Sequence, residues 1–298
     1  MIELDFAYLN WKREDKRGFI YRKGFLDRLA PLFFAPRVER LIDLRGFNLR
    51  GCQLSIPLGP GNLDLLDRET RRDMVERASF LLADYGLQQA AVPRKLRSFL
   101  PQSWESLVPV VFGEDFIKAL AVTAVAGQFS RHDLKKIIVV GEVEHFPAFI
   151  ISLAGYGIPV SLQSRQPARY ELLAHRLLYA QGYAVSTSYL NPAEWEEGEL
   201  ALVFDPGRAW IHAPRSDCLY LDNQSRGLFP FLEEQLAQNG IEADLGSLAP
   251  LLEASLLHEF AGEREEQTYL PEGDPGRFQW LQQMGEEAGL WELFLDKG

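Results

Sequence analysis

From Lys135 onward the hydrophobic pattern alternates between two kinds of segment. "KKIIVVG" (135–141) is a short run of β-branched residues closed by glycine, which predicts a buried strand. "HFPAFIISLAGYG" (145–157) is longer, carries apolar residues at helical spacing and ends with Gly155 and Gly157, which predicts a helix. "IPVSLQS" is a second strand, "QPARYELLAHRLLYAQG" a second helix closed by Gly182, "YAVSTSY" a third strand and "ELALVFD" a fourth. Strand and helix alternating through short joints predict a parallel sheet with helices packed on it. "AWIHAP" and "CLYLD" are two further strand candidates.

The first 130 residues are mixed. "IELDFAYL" alternates as a strand does, and "GFLDRLAPLFF" has the period of a helix. "LDRETRRDMVERASFLLADYG" places Met74, Val75, Ala78, Leu81 and Leu82 at 3.6-residue spacing and ends at Gly86, a suitable C-cap. "CQLSIPLG" and "LQQAAVP" are short strands closed by glycine or proline. "GEDFIKALAVTAVAGQFSRHD" is a helix opened by acids that suit its positive end. The tail from Pro230 is helical and acidic. The expected fold is α/β: an N-terminal α/β domain over 1–130, a Rossmann-like parallel-sheet domain over 131–230, and a helical segment over 231–298 that packs on one or both.

Composition narrows the function classes. The chain has 298 residues, 47% hydrophobic and 24% charged, enough apolar material for sizeable cores. A net charge of −11 repels phosphate backbones, so no nucleic-acid partner is expected. The basic cluster Arg94, Lys95 and Arg97 is short and fits a solvated helix face. Two distant cysteines, Cys52 and Cys218, fit a reduced, cytoplasmic protein. The first residues do not have the form of a signal peptide, and no uncharged apolar run reaches membrane-spanning length, so no membrane partner is expected. Five scattered histidines make no zinc motif, "NQSRG" makes no nucleophile elbow, and no P-loop pattern occurs. "DPGR" occurs twice and reads as turn chemistry, as does "PLGPGN".

The candidate ligand site is the turn after the first parallel strand. In a dinucleotide fingerprint the first glycine makes the tight turn, the second admits the diphosphate, and the third lets helix and strand approach. Gly141 is the first, but Val143 and Phe146 stand at the second and third. Glu142 and Glu144 would repel a diphosphate, and His145 offsets part of that. An ordinary polar loop on a Rossmann-like sheet has the same appearance, while acids in the turn also suit ribose hydroxyls or an amine. The second strand ends in Ser164 and Arg165, and an arginine there suits a 2′-phosphate as in NADP sites; a surface arginine reads the same. Ser186, Thr187 and Ser188 at the third strand's end offer hydroxyls to a ligand, and Asp205 closes the fourth.

This layout resembles the shikimate dehydrogenase and amino-acid dehydrogenase-like group of two-domain Rossmann proteins. The resemblance rests on the domain order, on the helix "EDFIKALAVTAVAGQF" leading into the second domain, and on "QSRQPARYELLAHRL", which is similar to that family's second strand end and helix. It implies NADP as cofactor and a catalytic pair: Lys95 of "AAVPRKL" as proton donor, with Asp115 of "FGEDF" orienting it. The residues flanking both differ from the family's pattern, with "QAAV" before the proline and "GE" before the aspartate. Three functions follow. The first is a Rossmann-like protein binding a metabolite or partner without catalysis. The second is an NADP-dependent oxidoreductase acting on a small polar substrate, and the third an adenosylmethionine-dependent transferase. The expected cofactor-binding residues are Gly141, Glu142, Ser164, Arg165, Ser186 and Thr187. The expected ligand is a small molecule in the interdomain cleft, and a homo-oligomer is allowed.

Overall fold

The computed structural model describes residues 4–11, 17–59, 61–62, 65–99, 109–131, 134–142, 146–204, 216–221, 230–263 and 276–295. The chain packs as two compact units, each built from two stretches of sequence: 1–113 with 226–268, and 114–225 with 269–298.

The first unit holds a five-stranded sheet in the order β2-β3-β1-β4-β5. Its strands are β1 (Phe6–Trp11), β2 (Arg37–Leu44), β3 (Leu49–Ile56), β4 (Ala90–Ala91) and β5 (Val110–Val111). β2 runs antiparallel to β3, and the other pairings are parallel. Helices α1 (Lys23–Phe33) and α2 (Arg68–Asp84) pack on one face. They bury Leu26 and Ala30, and Met74, Ala78 and Leu82, against Leu9, Cys52, Leu54 and Ile56. Asp67 caps α2 by accepting the Thr70 N–H at 2.7 Å, which satisfies one of the helix's first amides. Helices α6 (Pro230–Gln238) and α7 (Leu245–Glu263) also belong to this unit.

In the second unit all pairings are parallel, in the order β10-β9-β6-β7-β8. Its strands are β6 (Lys136–Val140), β7 (Val160–Gln163), β8 (Val185–Ser188), β9 (Glu199–Val203) and β10 (Asp217–Tyr220). The first strand of the unit is central and the second and fourth flank it. This is the Rossmann order, in which the carboxyl ends of β6 and β9 mark the topological switch point. Helix α4 (Phe146–Ala154) joins β6 to β7, and α5 (Ala168–Gln181) joins β7 to β8. The β8–β9 connection contains one short 3-10 turn, and Trp195 from it covers Ile138, Val140, Ala201 and Val203. Helices α3 (Glu114–Arg131), α8 (Arg277–Glu287) and α9 (Glu292–Leu295) also belong to this unit.

One boundary differs from the sequence expectation. The first unit's opening stretch ends at Gly113 rather than near 130, because α3 packs with α8 of the second unit. The C-terminal helices divide between the units, α6 and α7 in the first and α8 and α9 in the second. β2 was not predicted: its exposed Arg37, Glu39, Arg40, Leu41 and Asp43 hide the alternation of a strand. The "AWIHAP" strand candidate lies outside the described residues.

Candidate functional site

At the end of β6 the backbone turns through Gly141, whose φ of 92° lies where an L side chain is strained. Its N–H donates to the Gln163 carbonyl at 3.0 Å, and Ser164 N–H donates to the Ser188 carbonyl at 3.2 Å. These two bonds bring the carboxyl ends of β6, β7 and β8 side by side, so Gly141, Glu142, Ser164 and Ser188 share one rim. Ser186 and Thr187 pair with Ser161 and Leu162 and therefore lie one to two residues below it. Val143, Glu144, His145 and Asp205 are outside the described residues.

The rim is tied across its width. Glu142 accepts from the Arg169 guanidinium at 2.8 Å, between side chains that are both more than half exposed. Burial raises the Tyr170 hydroxyl's pKa, and the Glu142 charge and the hydrogen bond it receives from Tyr170 raise it further. Phe146, at the third fingerprint position, is buried, and its ring lies 4.8 Å from that of Tyr170. Thus the start of α4 is filled by an aromatic pair, and the acid of the glycine turn is bound to the start of α5. Ser164 is buried, and its Oγ accepts the Gln166 N–H at 3.2 Å, an ordinary turn contact. Arg165 is exposed.

Gln163, at the carboxyl end of β7, stands on the same rim. Its Oε1 accepts from the Trp195 indole at 3.1 Å and from the Asn191 N–H at 3.2 Å, anchoring the β8–β9 connection over the sheet. Arg169 and Tyr170 were not among the residues expected there. Nothing local marks a residue 27 positions downstream as the partner of Glu142.

Lys95 lies in the first unit, in the 3-10 turn Arg94–Phe99, and its ammonium pairs with the Glu242 carboxylate. Asp244 is close by and accepts the Ser247 N–H at 2.7 Å as the cap of α7. Burial pushes its carboxyl above the ordinary value, against the Ser247 hydrogen bonds and the Lys95 charge that pull it down. A raised folded-state pKa means that the group's stabilising share is complete below about pH 4 and is lost as pH rises through the raised value. Asparagine caps helices as well as aspartate does. We therefore expect Asp244→Asn to gain stability relative to the wild type as pH rises from 4 to 7, in urea titrations at each pH. Equal pH slopes for the two proteins would refute this.

Asp115 lies in the second unit, in the first turn of α3, and is buried with Lys118 and Arg277. Lys118 Nζ donates to Oδ1 at 2.8 Å, and Arg277 Nε is 3.4 Å from Oδ2. Both carboxylate oxygens therefore face cations within the unit, and Lys95 has its own acidic partner in the other unit. Burial pushes the Cys52 thiol up to about 11 and raises that of Cys218, so neither is poised as a nucleophile. Among the described residues no group of three His, Cys, Asp or Glu side chains could hold a metal ion, and no helix is long and apolar enough to cross a membrane.

The strand orders and the glycine turn define a Rossmann-like α/β protein of two units. The chain is similar to the crystal structure of L-tryptophan dehydrogenase from Nostoc punctiforme, with 12% identity over 97% of this chain and 80% of that one, at a TM-score of 0.44. It is also similar to a shikimate 5-dehydrogenase-like protein, with 12% identity over 95% of this chain and 98% of that one, at a TM-score of 0.34. The likeness is one of fold. No protein-family model matches the chain, and no curated protein matches it.

Proposed function

We propose that this chain binds a small metabolite or a partner through its Rossmann-like unit without transferring hydride. The observation that carries this reading is the tied rim: Glu142 is bound to Arg169 and Tyr170, and Phe146 is buried against Tyr170 where a fingerprint glycine would admit close helix approach. The exposed ion pair alone is a weak barrier, on the order of 0.2–1 kcal/mol. The Phe146–Tyr170 packing is the stronger obstacle, because shifting the buried Phe146 ring would uncover apolar surface. A ligand without a diphosphate avoids both.

An NADP-dependent oxidoreductase acting on a small polar substrate is the second reading. It is favoured by the exposed Arg165 just past β7, placed as a 2′-phosphate partner would be. In that reading Lys95 would have to give up its Glu242 contact to act as an acid, and Asp115 would have to serve while facing two cations.

Thermal unfolding with NADP, NAD and adenosylmethionine at millimolar concentration separates these. A ligand specific to the folded state at about 100 times its Kd stabilises by roughly 2.7 kcal/mol, a readily measured rise in Tm. We expect no rise with either dinucleotide. A rise with NADP that disappears in Arg165→Ala would overturn the non-catalytic reading in favour of the oxidoreductase. A rise with adenosylmethionine alone would favour a transferase.

A further inference from the structure

The first unit exposes an apolar face that its own core leaves uncovered. On α1 only Leu26 and Ala30 are buried. Phe25, Leu29 and Leu32 repeat at i, i+4 and i+7, so they form a second stripe along the helix. Phe25 is 45% exposed, Leu32 76% and Phe33 66%. Phe19 extends the stripe: it is 59% exposed, and its ring centroid is 4.3 Å from that of Phe25. Neighbouring α2 adds Phe80, 67% exposed. The two helices are locked together, since Asp67 N–H donates to Asp27 at 2.8 Å and the Arg77 guanidinium donates to the Pro31 carbonyl at 2.6 Å.

The exposed five, Phe19, Phe25, Leu32, Phe33 and Phe80, present on the order of 600 Å² of apolar surface, taking about 200 Å² for each fully exposed side chain. That is at the upper end of what a monomer leaves open. It approaches the ~800 Å² that each partner contributes to a standard protein interface.

The charges around the face decide what covers it. Arg22, Lys23 and Arg28 are exposed on α1, and Arg22 lies over the Phe19 ring at 5.5 Å. Glu69, Asp73, Arg77 and Phe80 recur along one flank of α2 at i, i+4, i+8 and i+11. The Arg77 contact places that flank beside α1. Arg22, Lys23 and Arg28 outnumber Asp27 at α1, and Glu69 and Asp73 outnumber Arg77 on the α2 flank, so a net cationic helix and a net acidic flank stand side by side. A second copy related by a two-fold axis would set each helix against the other's flank, the self-complementarity that a closed dimer requires. An anionic lipid surface matches only the cationic half, and the chain's net charge of −11 opposes it.

We propose that this α1–α2 face is a homodimer interface, covered by the same face of a second copy. The test is sedimentation velocity of the full chain from 1 to 100 µM. It compares the wild type with the double variant Leu32→Ser, Phe33→Ser, and with Tyr179→Ser in the second unit as a control for general stickiness. Because the replaced side chains are mostly exposed, the thermal midpoint of each variant extrapolated to low concentration should match that of the wild type. The expected result is a dimer for the wild type and the control, and association at least 100-fold weaker for the double variant. A wild type that is monomeric at 100 µM overturns the proposal, as does a dimer that persists in the double variant. A monomer that floats with phosphatidylglycerol vesicles, and loses that ability in the double variant, gives the face to lipid and overturns it too.

Discussion

Replacing Asp115 by alanine lowers stability by about 3–5 kcal/mol, the range for breaking a buried ion pair by removing one partner. The carboxylate is 3% exposed, Lys118 1% and Arg277 not at all. The Lys118 ammonium also lies 5.9 Å from the Phe278 ring, in surroundings with little water to replace the lost anion. Asp115→Asn keeps an acceptor and should lose less. Replacing Lys118 by methionine in the Asp115→Ala background should recover part of the loss, because the pair is then removed together. Urea titration reads all three. If Asp115 instead served only chemistry, the alanine variant would unfold at the wild-type urea midpoint, and the structural role argued for this residue would be wrong.

Gly113→Ala is expected to cost about 2–5 kcal/mol. Gly113 has φ of 78°, a conformation that costs an L residue roughly 1–2 kcal/mol. An added Cβ would also lie 2.5 Å from the Pro250 nitrogen and 2.7 Å from the Ala249 carbonyl carbon, both backbone atoms inside α7. Backbone in a packed helix cannot step aside as a side-chain tip can, so an overpacking term of about 1–3 kcal/mol adds to the conformational one. Gly157 is the control. Its φ of 72° is equally left-handed, but a Cβ there meets nothing within 4 Å. Gly157→Ala should therefore show the conformational term alone. Equal unfolding midpoints for the two variants would remove the close approach at Gly113 as a factor.

The second unit's sheet is legible because each strand advertises itself. Residues 137–140 and 200–204 are buried on both faces and so read as uninterrupted apolar runs, and Gly141 and Gly182 mark where the chain turns. The first unit is less legible for a physical reason. β2 is an edge strand that meets solvent and carries the charges that protect such an edge. β4 and β5 are two residues each, too short to show a period. The pattern at α3 is that of a helix, yet which unit it joins depends on α8, some 150 residues later. At the candidate site, the departures Val143 and Phe146 and the acid Glu142 are visible in the sequence. The partners that turn Glu142 from a ligand group into a tie, Arg169 and Tyr170, are set by tertiary packing. Lys118 is the counter-example: it stands three residues after Asp115 on a helix, a spacing that by itself announces a pair.

Because each unit is assembled from two separated stretches, order of synthesis matters. When residue 113 has been added, the first unit still lacks α6 and α7, the latter packed on β1 and β4. Those helices are complete only at residue 263, which at ~5–20 residues per second is roughly 8–30 s of translation later. Throughout that interval the strands of the first unit have one face without its helices while the second sheet is being made. The nascent chain thus exposes two incomplete apolar sheets at once, a period in which chaperone protection matters more than the final stability of either unit.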